Sequence, residues 1–138
     1  MEIPAALDYL RDHKNGVLMT LKANGRPQAS NIIYTVDDEG VIRISITEAR
    51  AKARNAKRDP RVSLHVTAED FYSYVVVEGD ADLSPVAADE HDATVEELIA
   101  VYRAMVGEHE DWDDYRRSMV ADGRLVLRLR PTNAYGMA

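Results

Sequence analysis

Ile44–Arg61 reads ISITEARAKARNAKRDPR, and its two halves follow different periods. Apolar and polar residues alternate through Ile44–Thr47, as in a strand with one buried face. From Ala49 onward alanines and cations follow helical spacing until Asp59 and Pro60 end helical geometry. Beyond them Val62, Leu64 and Val66 alternate with Ser63, His65 and Thr67, which is a strand again. The stretch therefore predicts a short basic helix between two half-buried strands. Residues 50–61 carry Arg50, Lys52, Arg54, Lys57, Arg58 and Arg61, six of the 17 basic residues in a chain of net charge −7. Such a cluster on an acidic background suits a local anion site, because cations and the free N–H groups of a first helical turn converge on a phosphate or carboxylate. A solvated basic helix face is the competing reading, since Arg50, Arg54, Lys57 and Arg61 also share one helical stripe.

Working outward, Ile42, Ile44 and Ile46 alternate with Arg43, Ser45 and Thr47, which extends the strand back to Val41. Gly16–Leu21 and Gln28–Val36 are apolar or β-branched runs separated by KANGRP, in which Asn24 and Gly25 favour the positive φ angles of a tight hairpin turn. Asp37–Gly40 forms a second turn. Pro4 opens a short leading helix that ends near Asp12 and is expected to close one end of a barrel. Downstream, Ser73–Leu83 reads as a long strand with a bulge or bend at Gly79. Val95, Leu98, Ile99, Tyr102 and Met105 mark an amphipathic helix within Ala87–Met105, and a second, acidic helix covers Trp112–Ala121. Leu125, Leu127 and Leu129 then alternate along a closing strand, Arg124–Arg130. About six antiparallel strands with inserted helices make a mainly β, α+β chain. Hairpins without regular helical crossovers disfavour a doubly wound parallel sheet. A small closed or half-closed barrel is the first architecture, with an α+β sandwich as the alternative.

At 138 residues the chain is expected to form one domain, 1–138, with no Ser/Gly/Pro-rich linker inside it. The absence of cysteine removes disulfides, thiolate metal sites and cysteine nucleophiles, and fits a reducing cytoplasm. MEIPAALDYLRDHK has neither the basic start nor the apolar core of a secretory leader, and no run approaches a spanning length, so a soluble cytoplasmic protein without a membrane partner is expected. The acidic balance argues against nucleic acid as a partner. His13, His65, His91 and His109 lack the spacing of a metal site, and no nucleophile elbow or glycine-rich phosphate loop is present. GEHEDWDDYRRSM, residues 107–119, does not match a calcium loop; its carboxylates complement a helix start while Trp112 and Tyr115 pack inward, the alternative being a ligand-facing or subunit-facing role for Trp112, Tyr115 and Arg116. No metal site and no obligatory catalytic side chain are assigned.

G-R-P-Q-x-S-N at 25–31, R-A-K-x-R-N-x-x-R-D-P-R at 50–61 and E-H-x-D-W-D-D-Y-R at 108–116 occur in one chain with YSYVVVEGDADL between the last two. In this combination the chain resembles the split β-barrel flavin and deazaflavin oxidoreductases related to pyridoxamine phosphate oxidase, and within them the actinobacterial branch that uses coenzyme F420. The resemblance spans nearly the whole sequence. It implies an FMN-binding-type split barrel and an obligate homodimer with both subunits lining the cofactor groove. It further implies that Gln28, Ser30, Asn31, Ser45 and Thr47 neighbour the isoalloxazine-like ring, and that Arg50, Lys52, Arg54 and Asn55 hold the phosphate. Tyr74, with Tyr72 and Ser73, would flank the ring or the substrate. The implied reaction is hydride transfer between reduced F420 and a small unsaturated acceptor such as biliverdin, a quinone or an enone. The Arg and His that vitamin B6 oxidases carry near the carboxyl terminus are missing from RLRPTNAYGMA, which speaks against that activity. FMN is the alternative cofactor, and a non-catalytic flavin- or F420-binding protein the alternative function.

Overall fold

The computed structural model describes residues 1–138 as α1 (Ile3–Arg11), β1 (Asn15–Leu21), β2 (Pro27–Ile33), β3 (Thr35–Val36), β4 (Ile42–Thr47), α2 (Ala51–Arg58), β5 (Arg61–Thr67), β6 (Tyr74–Leu83), α3 (Ala93–Val106), α4 (Trp112–Ala121) and β7 (Arg124–Met137). The seven strands form one antiparallel sheet in the order β2-β1-β5-β6-β7-β4-β3. It curls until β2 approaches β4, giving a half-barrel of the split-barrel type. Seven strands replace the expected six because the Gln28–Val36 run breaks at Tyr34. That ring is buried, and its hydroxyl donates to Leu10 O at 2.7 Å, so the chain leaves the ladder there and resumes as β3.

Alternation decides what fills the barrel. Ile42, Ile44 and Ile46 of β4 face Leu129, Leu127 and Leu125 of β7, and all six are buried with Leu18, Leu64, Val66, Val75 and Val77. Ala6, Leu7 and Leu10 of α1 and Ala53 and Ala56 of α2 complete this core. The opposite face of β7 begins a second, smaller cluster: Val126 lies between Leu125 and Leu127, points outward, and packs with Ala87, Val95, Leu98, Ile99 and Met119 under α3 and α4. Glu97 pins α3 to the outer face, accepting from Arg43 Nε at 2.8 Å and from Arg128 Nη2 at 2.6 Å. Arg128 and Arg43 hold the Glu97 carboxyl below its usual pKa.

Two turns differ from their sequence reading. Only Gly25 takes a positive φ, 85°; Gly25 N donates to Lys22 O at 2.9 Å, so Ala23 and Asn24 are the central residues and Gly25 closes a three-residue loop. Asn24 instead uses its carboxamide, accepting from Arg26 N at 3.0 Å. α3 starts at Ala93 rather than Ala87, because Asp92 caps it by accepting from Val95 N and turns the preceding segment by accepting also from Ala88 N and Asp89 N. The bulge at Gly79 is present: the β6–β7 register shifts between Glu78 and Gly79, and a Cβ there would stand 2.1 Å from Arg130 O. No helix is long and apolar enough to cross a membrane.

Asn55 sits inside this framework. It is buried, donates to Thr20 Oγ1 at 3.2 Å and accepts from Arg58 Nη2 at 2.9 Å, tying α2 to β1. Asn55→Ala is expected to cost the apoprotein about 1–3 kcal/mol by leaving these partners unmatched. Urea unfolding without ligand measures it, and an unchanged midpoint would remove Asn55 from the fold's support.

Candidate functional site

Between the outer face of the curled sheet and the α3–α4 hairpin lies a cavity of about 850 Å³. Its floor is a cross-strand row. Val17 pairs with Asn31 on one side and His65 on the other, so these three side chains share the outer face of β2, β1 and β5. Asn15, Ile33 and Thr67 extend the row, and Ser45 and Thr47 of β4 continue it across the split. His65 is stacked on Tyr74 with ring centroids 5.5 Å apart, and Tyr74, paired with Thr67, stands beside the lining on the same outer face rather than in it.

One end of the cavity is cationic. β4 leaves the barrel through Glu48–Arg50, and Arg50 begins α2 without a side-chain cap, which delivers Arg50 and Lys52 to the cavity. Arg124 arrives from a distant part of the sequence because β7 pairs with β4 at Thr47↔Arg124, which sets its side chain beside Thr47 on the outer face. None of the three pairs with a carboxylate. Arg124 Nε is buried with no hydrogen-bond partner. Burial, reinforced by Arg50 and Arg124, pulls the Lys52 ammonium below the usual lysine pKa. A half-buried lysine crowded by two arginines, one of them with an orphaned donor, is a poor arrangement for folding and a good one for an anion. A phosphate would satisfy the donor and relieve the repulsion.

The roof is apolar and aromatic. Val101, Tyr102 and Met105 of α3 and Tyr115 and Met119 of α4 face the floor. Tyr115 donates its hydroxyl to Leu98 O at 3.0 Å, which fixes the ring as part of the wall, and burial pushes its pKa up to about 12, so the phenol stays neutral there.

Of the residues singled out from the sequence, Asn31, Ser45, Thr47, Arg50 and Lys52 meet in this cavity. Gln28 and Ser30 pair with Thr20 and Leu18 and share their inward face, opposite to Asn31. Arg54 donates to Ala49 O and lies with Lys57 along a separate groove on the far side of α2. Asn55 is engaged with Thr20 and Arg58. Arg43, which shares an alternating face with Ser45 and Thr47, is drawn off by Asp37 and Glu97 and does not reach the cavity. Arg124 and Met119 received no role from the sequence, Val101, Tyr102 and Met105 at most a place in an amphipathic helix, and Tyr115 a ligand-facing role only as the lesser alternative. The signal for Arg124 was its place at the first residue of a strand, but only strand pairing shows which residue it stands beside.

The family model described as pyridoxamine 5′-phosphate oxidase matches residues 3–138. Among solved structures, an F420 reductase is 28% identical, with a TM-score of 0.61 over 88% of this chain and 89% of that one. A conserved hypothetical protein from Mycobacterium tuberculosis is 24% identical with a TM-score of 0.76, covering 99% of this chain and 84% of that one. A heme storage protein from Vibrio cholerae is 19% identical with a TM-score of 0.69, covering 98% and 94%. The last two likenesses are of fold alone.

Proposed function

The chain belongs to the pyridoxamine 5′-phosphate oxidase family, and from that premise we propose that its cavity holds a phosphate-bearing deazaflavin, coenzyme F420, and that the protein is an F420-dependent reductase of a small unsaturated acceptor. The observation that carries this reading is the set of unpaired cations, Arg50, Lys52 and Arg124, with the orphaned Arg124 Nε among them. The F420 reductase at 28% identity favours the deazaflavin over FMN. When bound, such a cofactor supplies a hydride. The chain's contribution is to bind and orient. Arg50, Lys52 and Arg124 take the phosphate, while Asn31, Ser45 and Thr47 offer hydrogen bonds along the floor and the α3–α4 hairpin supplies an apolar wall. No side chain is assigned as an obligatory base.

The protein is further proposed to work as a homodimer. Tyr135 and Met137 are exposed on the outer face of β7 beside β6, Ile33 is exposed at the edge of the cavity floor, and Phe71 and Tyr72 stand bare at the adjoining β5–β6 turn with only 20% and 18% of their surface shielded. A second copy would cover that face.

Fluorescence titration with oxidised F420 and, in parallel, with FMN tests the cofactor. Micromolar or tighter binding of F420 with weaker FMN binding supports the proposal. The reverse preference moves the protein to the flavin branch, and binding of neither removes the cofactor assignment.

The Lys52 shift gives this binding a pH dependence. Only the ammonium form attracts the phosphate, so affinity is expected to be full below the lowered folded-state pKa of Lys52 and to fall as pH rises through it. Without ligand the sign reverses: the desolvated charge weakens the fold below that pKa, and the cost is relieved as pH climbs from it toward the unfolded value of 10.5. The difference between wild type and Lys52→Met isolates both effects. Parallel pH profiles for the two proteins would show that Lys52 does not meet the anion.

A further inference from the structure

Lysine is scarce in this chain. Of its 17 basic residues four are lysines, and Lys14, Lys22 and Lys57 are exposed on the surface, Lys57 on the groove side of α2 away from the cavity. Lys52 differs in each respect. It is half-buried, it lines the cavity, and the only other permanently charged side chains lining it are Arg50 and Arg124, with no carboxylate among them. Burial first, then the fields of Arg50 and Arg124, favour release of the ammonium proton, which is how a lysine becomes a nucleophile. The two guanidiniums stay charged whichever form the amine takes. One corner of the cavity therefore combines a grip for a phosphate with a primary amine that reacts with electrophilic carbon.

We propose that Lys52 is an acylation site whose reagent is an acyl phosphate, a small molecule that joins an electrophilic carbonyl to the anion this corner suits. Arg50 and Arg124, with the orphaned Arg124 Nε among their donors, take the phosphate oxygens. That brings the acyl carbon to the amine beside them and replaces a chance collision by a reaction within a complex. The neutral Lys52 nitrogen attacks the acyl carbon. A C–N bond forms, the bond from that carbon to the bridging oxygen breaks, and phosphate departs with the bonding electrons. The proton lost by the amine goes to the leaving phosphate or to water. Both guanidiniums stabilise the charge that collects on the departing phosphate, so the arrangement favours the step as well as the encounter. The product is a neutral amide: one of three cations is gone, and an acyl group stands between the other two. On the reading that the cavity holds a phosphate-bearing cofactor, acylation closes the site to it.

The test uses the wild-type chain without ligand, acetyl phosphate as the reagent, and peptide mass spectrometry to follow all four lysines at once. Lys52 is expected to be acetylated about tenfold or more faster than Lys14, Lys22 or Lys57. Inorganic phosphate at constant ionic strength is expected to slow Lys52 alone, by a similar factor, because it occupies the grip. Arg124→Gln is expected to do the same by removing part of that grip. Equal rates at the four lysines, or a fast Lys52 that inorganic phosphate leaves untouched, would overturn the proposal. F420 titration of protein acetylated at Lys52 reads the consequence: affinity is expected to fall by about tenfold, and equal affinity before and after acetylation would show that the modification does not close the site. If wild type takes up no F420 while Lys52 is still acetylated selectively and protected by phosphate, the cofactor assignment falls and the acylation site stands.

Discussion

Arg124→Ala is expected to weaken F420 binding by about 10- to 100-fold, the roughly 1.5–3 kcal/mol of a charge-assisted hydrogen bond, without lowering the stability of the apoprotein. The two halves of that expectation come from one fact: Arg124 Nε is buried and unpartnered. A donor in that state contributes its desolvation cost to the empty fold and its full strength to an incoming phosphate oxygen. Removing it should leave the melting temperature level or slightly raised. Its position also matters, because Arg124 belongs to β7 whereas Arg50 and Lys52 belong to the start of α2, so a phosphate held by all three would be gripped from two elements. Fluorescence titration and thermal unfolding of the same preparation test the pair of effects. Unchanged affinity would show that the anion does not reach Arg124. A large loss of stability would show that the guanidinium is structural after all.

Ile44→Asp is expected to abolish the native fold, with a destabilisation of about 4 kcal/mol or more, because it places a carboxylate where no partner or water is available. Ile44 is 1% exposed and pairs with Leu127, which is fully buried. The neighbouring exchange Ser45→Asp makes the contrast. Ser45 faces the cavity, so its carboxylate should be tolerated by the fold and should instead lower anion affinity by sitting near Arg50, Lys52 and Arg124. Circular dichroism and urea unfolding separate the two variants. A folded Ile44→Asp protein would mean that β4 is turned over, with Ser45 and Thr47 inside the barrel.

That contrast was legible before any coordinates, and the reason is local. Ile42–Thr47 alternates without interruption, so one assignment of the buried face orders every residue in it, and Ile42, Ile44 and Ile46 are all buried. The basic start of α2 was legible for the same reason, since it follows β4 directly and inherits its outer face. What depends on pairing between distant segments was not legible. Arg124 stands beside Thr47 only because β7 enters the sheet next to β4, and neither segment carries a mark of that choice. The roof is a similar case: Tyr102 and Met105 sit at helical positions that describe a buried stripe equally well, and the space below them comes from the curl of the sheet. Gln28, Ser30 and Asn31 illustrate the limit of resemblance. Taken together as ring neighbours, they ignore the period of two, and the β1–β2 register directs the first two inward with Thr20 and Leu18 and Asn31 outward with Val17.

The place of β7 in the sheet has a consequence for how the protein comes into being. It lies between β6 and β4, joining the β2-β1-β5-β6 half of the sheet to the β4-β3 half, and it is the last of the seven strands to be synthesised. Without it, β6 and β4 each lack the neighbour that joins them, and Ile42, Ile44 and Ile46 lack the leucines of β7 that cover them. Pairings as distant as β4 with β7 close slowly and only after the intervening segments exist. Assembly of the barrel, and with it of the cavity that Arg124 completes, therefore waits on the seventh strand, whatever the order in which the other six pair.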